Sequence, residues 1–159
     1  MTNNHKLKIG LDYHGLIDIN VAFFSRFCTN AKVRGHSVYI ITGGPKVMAE
    51  HDLAKNNIKH DFVYAISDHY QALKDIDQSI NGKLYIPDNL WNRAKAEFCR
   101  KNQINIHIDD NMEYLRSFST PYCYYNKSEH KGIISLGGEL DFNHSPIQVL
   151  NKIEQVLLL

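Results

Sequence analysis

The sequence predicts an α/β fold: a three-layer, doubly wound domain on a mostly parallel sheet. Short β-branched apolar runs alternate along the chain with segments of helical period, the pattern of βαβ units. Several of these runs stop in a small polar or acidic residue and then turn. Strands buried in a parallel sheet behave this way where they leave its C-terminal edge. With 159 residues and a hydrophobic fraction of 43%, the chain is expected to form one domain, residues 1–159, around a full core.

Leu7 to Asp12 reads as the first strand, and its last residue sets a carboxylate at the sheet edge, where Gly15 lets the chain turn away. Asp18 or Asn20 caps a helix through about Arg34. Its Phe24, Phe27, Cys28 and Ala31 form one stripe, and Gly35 ends it. Ser37 to Thr42 is a β-branched second strand. Gly43-Gly44-Pro45 turns from it into a helix running to about Asn56, with Pro45 near its first position. Phe62 to Ile66 is the third strand. Ser67 or Asp68 caps the helix after it, which carries Leu73, Ile76 and Ile80. Asn81-Gly82 is a turn, and Lys83 to Ile86 a short extended piece.

Asp88 caps a helix that buries Trp91, Ala94 and Phe98. Ile104 to Asp109 is the fourth strand, ending in the pair Asp109-Asp110, and a turn or short helix follows to about Phe118. Pro121 to Tyr125 is an aromatic fifth strand, placed at an edge, and Ile133 to Leu136 a sixth. Ser145 and Pro146 open a final helix with Ile147, Leu150, Ile153 and Leu157 on one face.

Bulk properties exclude several function classes. The net charge is +1 with both signs dispersed, so no basic stripe marks a nucleic-acid surface. No apolar run approaches the ~20 residues of a membrane span, and Met1 to Lys8 is polar without a signal-peptide core. Cys28, Cys99 and Cys123 are odd in number and widely spaced, which fits reduced thiols in the cytoplasm. His5, His36, His51, His60, His69, His107, His130 and His144 show no metal-ligand spacing. His107 is expected as a packed, hydrogen-bonded strand residue.

Asp12, Thr42 and Asp109-Asp110 all close strands of one parallel sheet, so they share an edge. Lys95, in the helix before the fourth strand, joins them. Neighbouring carboxylates repel unless a cation lies between them, and loosely arranged hard oxygens suit Mg²⁺. A hydroxyl, an ammonium and the N–H groups of a helix N-terminus suit a phosphate. The implied chemistry is metal-assisted phosphoryl transfer. Each residue also has a plain structural reading. Thr42 can end a strand, Lys95 can sit in solvent with Lys46 or Lys101 taking its place, and Asp110 can cap the next helix.

The order Asp, Thr, Lys, Asp-Asp resembles the haloacid dehalogenase-like (HAD) superfamily of phosphohydrolases. Leu11-Asp12-Tyr13-His14-Gly15 is similar to its first motif, Ile40-Ile41-Thr42-Gly43-Gly44 to its second, Lys95 to its third and Ile108-Asp109-Asp110-Asn111 to its fourth. Receiver domains use similar residues, but their acidic pair comes early in the chain. The paired acids and the small size also resemble the 5′-nucleotidase-like branch.

The resemblance implies a HAD-like core with no cap or a minimal one, since the stretches after the first two motifs are occupied by core elements. It implies that Asp12 is a nucleophile forming an aspartyl-phosphate. Asp12, the backbone carbonyl of His14, Asp109 and Asp110 would hold Mg²⁺. Thr42, Gly43 and Lys95 would bind the phosphoryl group. The implied ligand is a small phosphorylated substrate or a phosphorylated macromolecule, with self-association left open. Family phosphatases usually carry a second Asp where this chain has His14. An imidazole can serve as acid and base near neutrality. The competing expectation is a catalytically impaired relative that binds metal, phosphate or a partner without efficient turnover. A third is an unrelated doubly wound protein. Tyr13 and Trp91 are candidates to stack on a base or sugar, with Trp91 otherwise in the core.

Overall fold

Ile9 and Leu11 bury one face of the first strand, and Gly10 is closely approached on the other. The strand therefore needs cover on both faces, and the chain supplies it. A computed structural model describes residues 5–73, 79–80 and 83–158. In order, β1 (Lys8–Leu11) leads through a wide turn, Tyr13–Ile17, into α1 (Val21–Val33), β2 (Ser37–Thr42), α2 (Lys46–Lys55) and β3 (Phe62–Ala65). Next come α3 (Ile66–Leu73), a small hairpin of β4 (Ser79–Ile80) and β5 (Lys83–Leu84), and α4 (Asp88–Lys101). β6 (Ile106–Asp109), a 3₁₀ turn (Met112–Ser117), β7 (Tyr122–Asn126), β8 (Lys131–Ile134), β9 (Glu139–Asp141) and α5 (Pro146–Leu157) complete the fold.

The main sheet is open and seven-stranded, in the order β3-β2-β1-β6-β7-β8-β9. β3 through β7 run parallel, and β8 and β9 add an antiparallel margin. β1 sits inside, with Ile9 opposite both Val38 of β2 and Ile106 of β6.

Side chains alternate across a strand, and here the alternation sorts the helices. Ile9, Leu11, Val38, Ile40, Ile106 and Ile108 join the main core with Phe24, Phe27 and Cys28 of α1, Leu53 of α2 and Ile153 of α5. On the other face, Ile41 and Tyr39 meet Cys99 and Phe98 of α4. Successive parallel strands step one way from β1 to β3, then cross back to β6 on the far side of β1. The carboxyl ends of β1 and β6 therefore flank the point where strand order reverses, the usual ligand crevice of an open α/β sheet.

Several expectations need correction. α3 is described as Ile66–Leu73, and Ile80 lies in β4, paired with Lys83, so that helix does not reach Ile80. Ile76 and the Asn81-Gly82 turn lie outside the described residues. α3 begins at Ile66, and Asp68 accepts the Lys46 N–H (2.8 Å), so it serves α2. Asn20 precedes α1 without a side-chain cap, because Asp18 is engaged with Gly15 and His14. Pro87 flanks α4, with Asp88 its first residue. Asn111, not Asp110, caps the turn after β6 by accepting the Glu113 N–H (2.9 Å).

β7 is not an edge: β6 and β8 cover both its sides, and Tyr122, Cys123 and Tyr125 are fully buried. The sixth expected strand is registered two residues earlier, as β8, and β9 follows it. On α5, Ile147 points outward and Val149 takes the buried position. All three cysteines are buried free thiols. No helix among the described residues is long and apolar enough to cross a membrane.

Candidate active site

The strand parity that builds the core also builds the site. Gly10 and Asp12 share a face, as do His107 and Asp109, and that face looks toward α4. The α4 ammonium of Lys95 is consequently buried between two carboxylates. It donates to Asp12 Oδ1 (2.8 Å) and to Asp109 Oδ2 (2.7 Å). Neither Lys46 nor Lys101 competes: Lys46 lies near Glu50 and over Phe62, and Lys101 is exposed at the end of α4.

Asp12 Oδ1 also accepts the Tyr13 N–H (2.8 Å). Its other oxygen takes no hydrogen bond from the described residues, which leaves it to a ligand. Asp109 is more fully held. His107 Nε2–H donates to its Oδ2 (3.0 Å) and the Asn111 N–H to its Oδ1 (3.0 Å). This asymmetry separates the two acids. Burial pushes Asp12 up, Lys95 pulls it back and the Asp109 charge pushes again, leaving it at about 7. Burial pushes Asp109 up too, but Lys95 and the His107 donor outweigh it and hold its carboxyl well below the usual range. Burial keeps the His107 imidazole below the ordinary histidine range.

Asp110 completes the acidic group. One oxygen from each of Asp12, Asp109 and Asp110 lies within 4.8 Å of the others. Gly15 makes this approach feasible. Its φ of +81° is a left-handed conformation, and a Cβ there would collide with the Asp110 carboxylate. Three hard oxygen donors with open space beside them fit a small divalent cation that keeps part of its water, as Mg²⁺ does.

The cavity has a volume of about 280 Å³. Asp12, Asp109, Asp110 and Lys95 line it together with His14, Gly43, Gly44, Trp91, Asn111 and Tyr114. Trp91 is half-buried, packs near Ile66 and Tyr70, and donates its indole N–H to Tyr114 Oη (2.9 Å). It is thus both a core residue and a wall. A Cβ on Gly43 would stand 2.7 Å from the indole, so glycine there keeps the wall in place. Tyr13 is buried with its hydroxyl donating to Asp52 (3.2 Å), away from the cavity.

Two expected residues are placed less directly. Thr42 ends β2, fully buried, and its Oγ1 has no hydrogen-bond partner among the described residues. It stands behind Gly43, and Gly43 is the residue that lines the cavity. The His14 side chain is two-thirds exposed at the mouth, with Nδ1 3.2 Å from Asp18 Oδ2. The carboxylate makes Nδ1 the donor and leaves Nε2 directed past Gly44.

Sequence reasoning expected His107 as a packed, hydrogen-bonded strand residue, which it is, and Asp18 as a helix cap, but gave neither of them, nor Tyr114, a place in the site. The spacing of two from Asp109 was the available signal for His107, because it fixes a shared face. Tyr114, 5.1 Å from Lys95 Nζ by its ring centroid, carried no comparable signal. Comparison of the chain with protein-family models, with curated proteins and with solved structures finds no match.

Proposed function

We propose that the chain is a Mg²⁺-dependent phosphohydrolase of HAD-like, three-layer architecture. It would act on a phosphate monoester through an aspartyl-phosphate on Asp12. The observation that carries this reading is Lys95, buried as the shared counter-ion of Asp12 and Asp109 at the reversal of strand order. A structural ion pair needs one acid. Here a second acid, and a third in Asp110, point into a cavity.

Asp12, Asp109, Asp110 and the His14 carbonyl would hold the metal, which supplies charge neutralisation for the reacting phosphoryl group. The unengaged Asp12 oxygen attacks phosphorus, and the ester P–O bond breaks. His14 Nε2–H, oriented by Asp18, gives its proton to the leaving oxygen. The same nitrogen then takes a proton from water as that water attacks the acyl phosphate. Inorganic phosphate leaves and the Asp12 carboxylate is restored. Lys95 steadies the charge on Asp12 and on the transferring group. The Gly43 and Gly44 backbone borders the phosphoryl pocket, with Thr42 buried just before it at the end of β2. The open mouth suits a small phosphorylated molecule or a phosphorylated segment of a macromolecule.

The test is hydrolysis of p-nitrophenyl phosphate with Mg²⁺ present. Chelator and Asp12→Asn should each reduce it to background; turnover by Asp12→Asn would overturn the reading. One observation favours a second reading, a binding protein with little turnover: the exposure of His14. His14→Ala separates the two. An active enzyme should lose about 100-fold in kcat on an alkyl phosphate, whose leaving group needs the proton. A binding protein retains Mg²⁺ affinity and shows no rate to lose.

A further inference from the structure

Asp110 is engaged by a cation from a distant part of the chain. Lys127 lies in the turn between β7 and β8, and its ammonium pairs with Asp110 Oδ2. The pair is lopsided. The Lys127 side chain is 53% exposed, whereas that of Asp110 is 15% exposed at the cavity wall. Asp12 and Asp18 add their negative charge to the field around this ammonium. Lys95 behaves differently: it is buried, donates to two acids and has no room to leave.

A divalent cation on Asp12, Asp109 and Asp110 would compete with Lys127 for the Asp110 carboxylate. An exposed ion pair contributes little to stability, so the ammonium can be displaced at small cost. It then remains at the mouth on a four-carbon flexible stem, with three rotatable donors and a strongly hydrated point charge. Such a group binds phosphate oxygens well. It would approach from the Asp110 side of the cavity.

Resting on the metal and phosphate reading above, we infer that Lys127 is a phosphate-binding residue parked on Asp110 until a divalent cation takes that carboxylate. The ammonium thereby serves two states of the site. It balances the three carboxylates in the absence of metal. With metal bound, it becomes an anion contact that the four motifs do not supply. Two opposite effects follow from one side chain. Removing Lys127 frees Asp110 for the metal and removes a donor from the phosphate.

Calorimetric titrations of the full chain test this with Mg²⁺ alone, and then with inorganic phosphate at saturating Mg²⁺. Lys127→Met should bind Mg²⁺ about threefold to tenfold more tightly and phosphate about as much more weakly, the span expected for one partly exposed charge. Lys127→Arg should restore phosphate binding. Lys131→Met, which removes a neighbouring exposed lysine facing Glu139, should change neither. If the wild-type chain binds Mg²⁺ and phosphate and Lys127→Met binds both equally well, the inference fails while the phosphohydrolase reading stands. If the wild-type chain takes up no Mg²⁺, both fall.

Discussion

Lys95 shows how much one side chain settles. An ammonium that is 3% exposed would be expelled from a fold that gave it no partners. Its two carboxylates keep it charged, and it keeps them from repelling each other. Lys95→Met should therefore cost about 3 kcal/mol of stability, as removal of one member of a buried ionic group does. Urea denaturation in chelator at pH 8 measures this, and added Mg²⁺ should recover part of it by replacing the lost positive charge. The raised Asp12 makes a second, pH-dependent prediction. A group raised from 3.8 to about 7 in the folded state contributes stability that is fully present below pH 3.8 and is lost as pH rises through 7. Metal binding requires the ionised form, so protons compete with Mg²⁺ over the same range. The rise in Tm on adding Mg²⁺ should be larger at pH 8 than at pH 6, read by scanning fluorimetry. An equal rise at both would mean that Asp12 is not among the ligands.

At the scale of elements, what could be read in advance follows period and punctuation. The stripe of Phe24, Phe27, Cys28 and Ala31 on α1 is fully buried as its spacing requires. Ser145 caps α5 through a reciprocal box with Gln148, directly before Pro146. Ser145→Ala should cost about 1 kcal/mol, seen as a lower Tm with unchanged Mg²⁺ binding. The stretch after β3 reads differently in space. Leu73, Ile76 and Ile80 carry helical spacing, but Ile80 is drawn into a two-residue strand pair with Lys83. So short a pair has no period of its own to read. β8 and β9 were blurred for a related reason: they form an antiparallel margin whose register is set by β7 and by the turns, and Gly132, Gly137 and Gly138 interrupt any alternation. The site proper was legible because each member closes a strand or lies on the helix beside it. Lys127 and Asp18 were not, since their positions depend on how loops fold back.

Across the whole molecule, α5 is fastened to the start of the sheet by one acid. Glu154 accepts from Arg34 Nη1 (2.7 Å) and from His36 Nε2–H (2.7 Å). His36 Nδ1 in turn accepts the Leu7 N–H (3.1 Å). The entry to β1, the approach to β2 and the last helix thus share one network. Burial would raise Glu154, but its two donors outweigh burial and hold it below its ordinary 4.5. A depressed acid contributes stability above its ordinary pKa and loses it as pH falls through the folded value. The protection of α5 amides, relative to their intrinsic exchange, should accordingly fall at pH values below 4.5 before that of β1 and β2 does. Glu154→Gln should flatten that difference.

The pairing of β1 with β6 joins Ile9 to Ile106, across most of the length of the chain. Until it closes, Asp12 faces water as an ordinary acid and Lys95 has nothing to bridge. On the reading proposed above, uptake of magnesium would be a clock for folding, striking only when these distant partners in the sheet have met. A fragment truncated before residue 100 would contain Asp12 and Thr42 but lack Asp109 and Asp110, and on the same reading should remain silent to the ion.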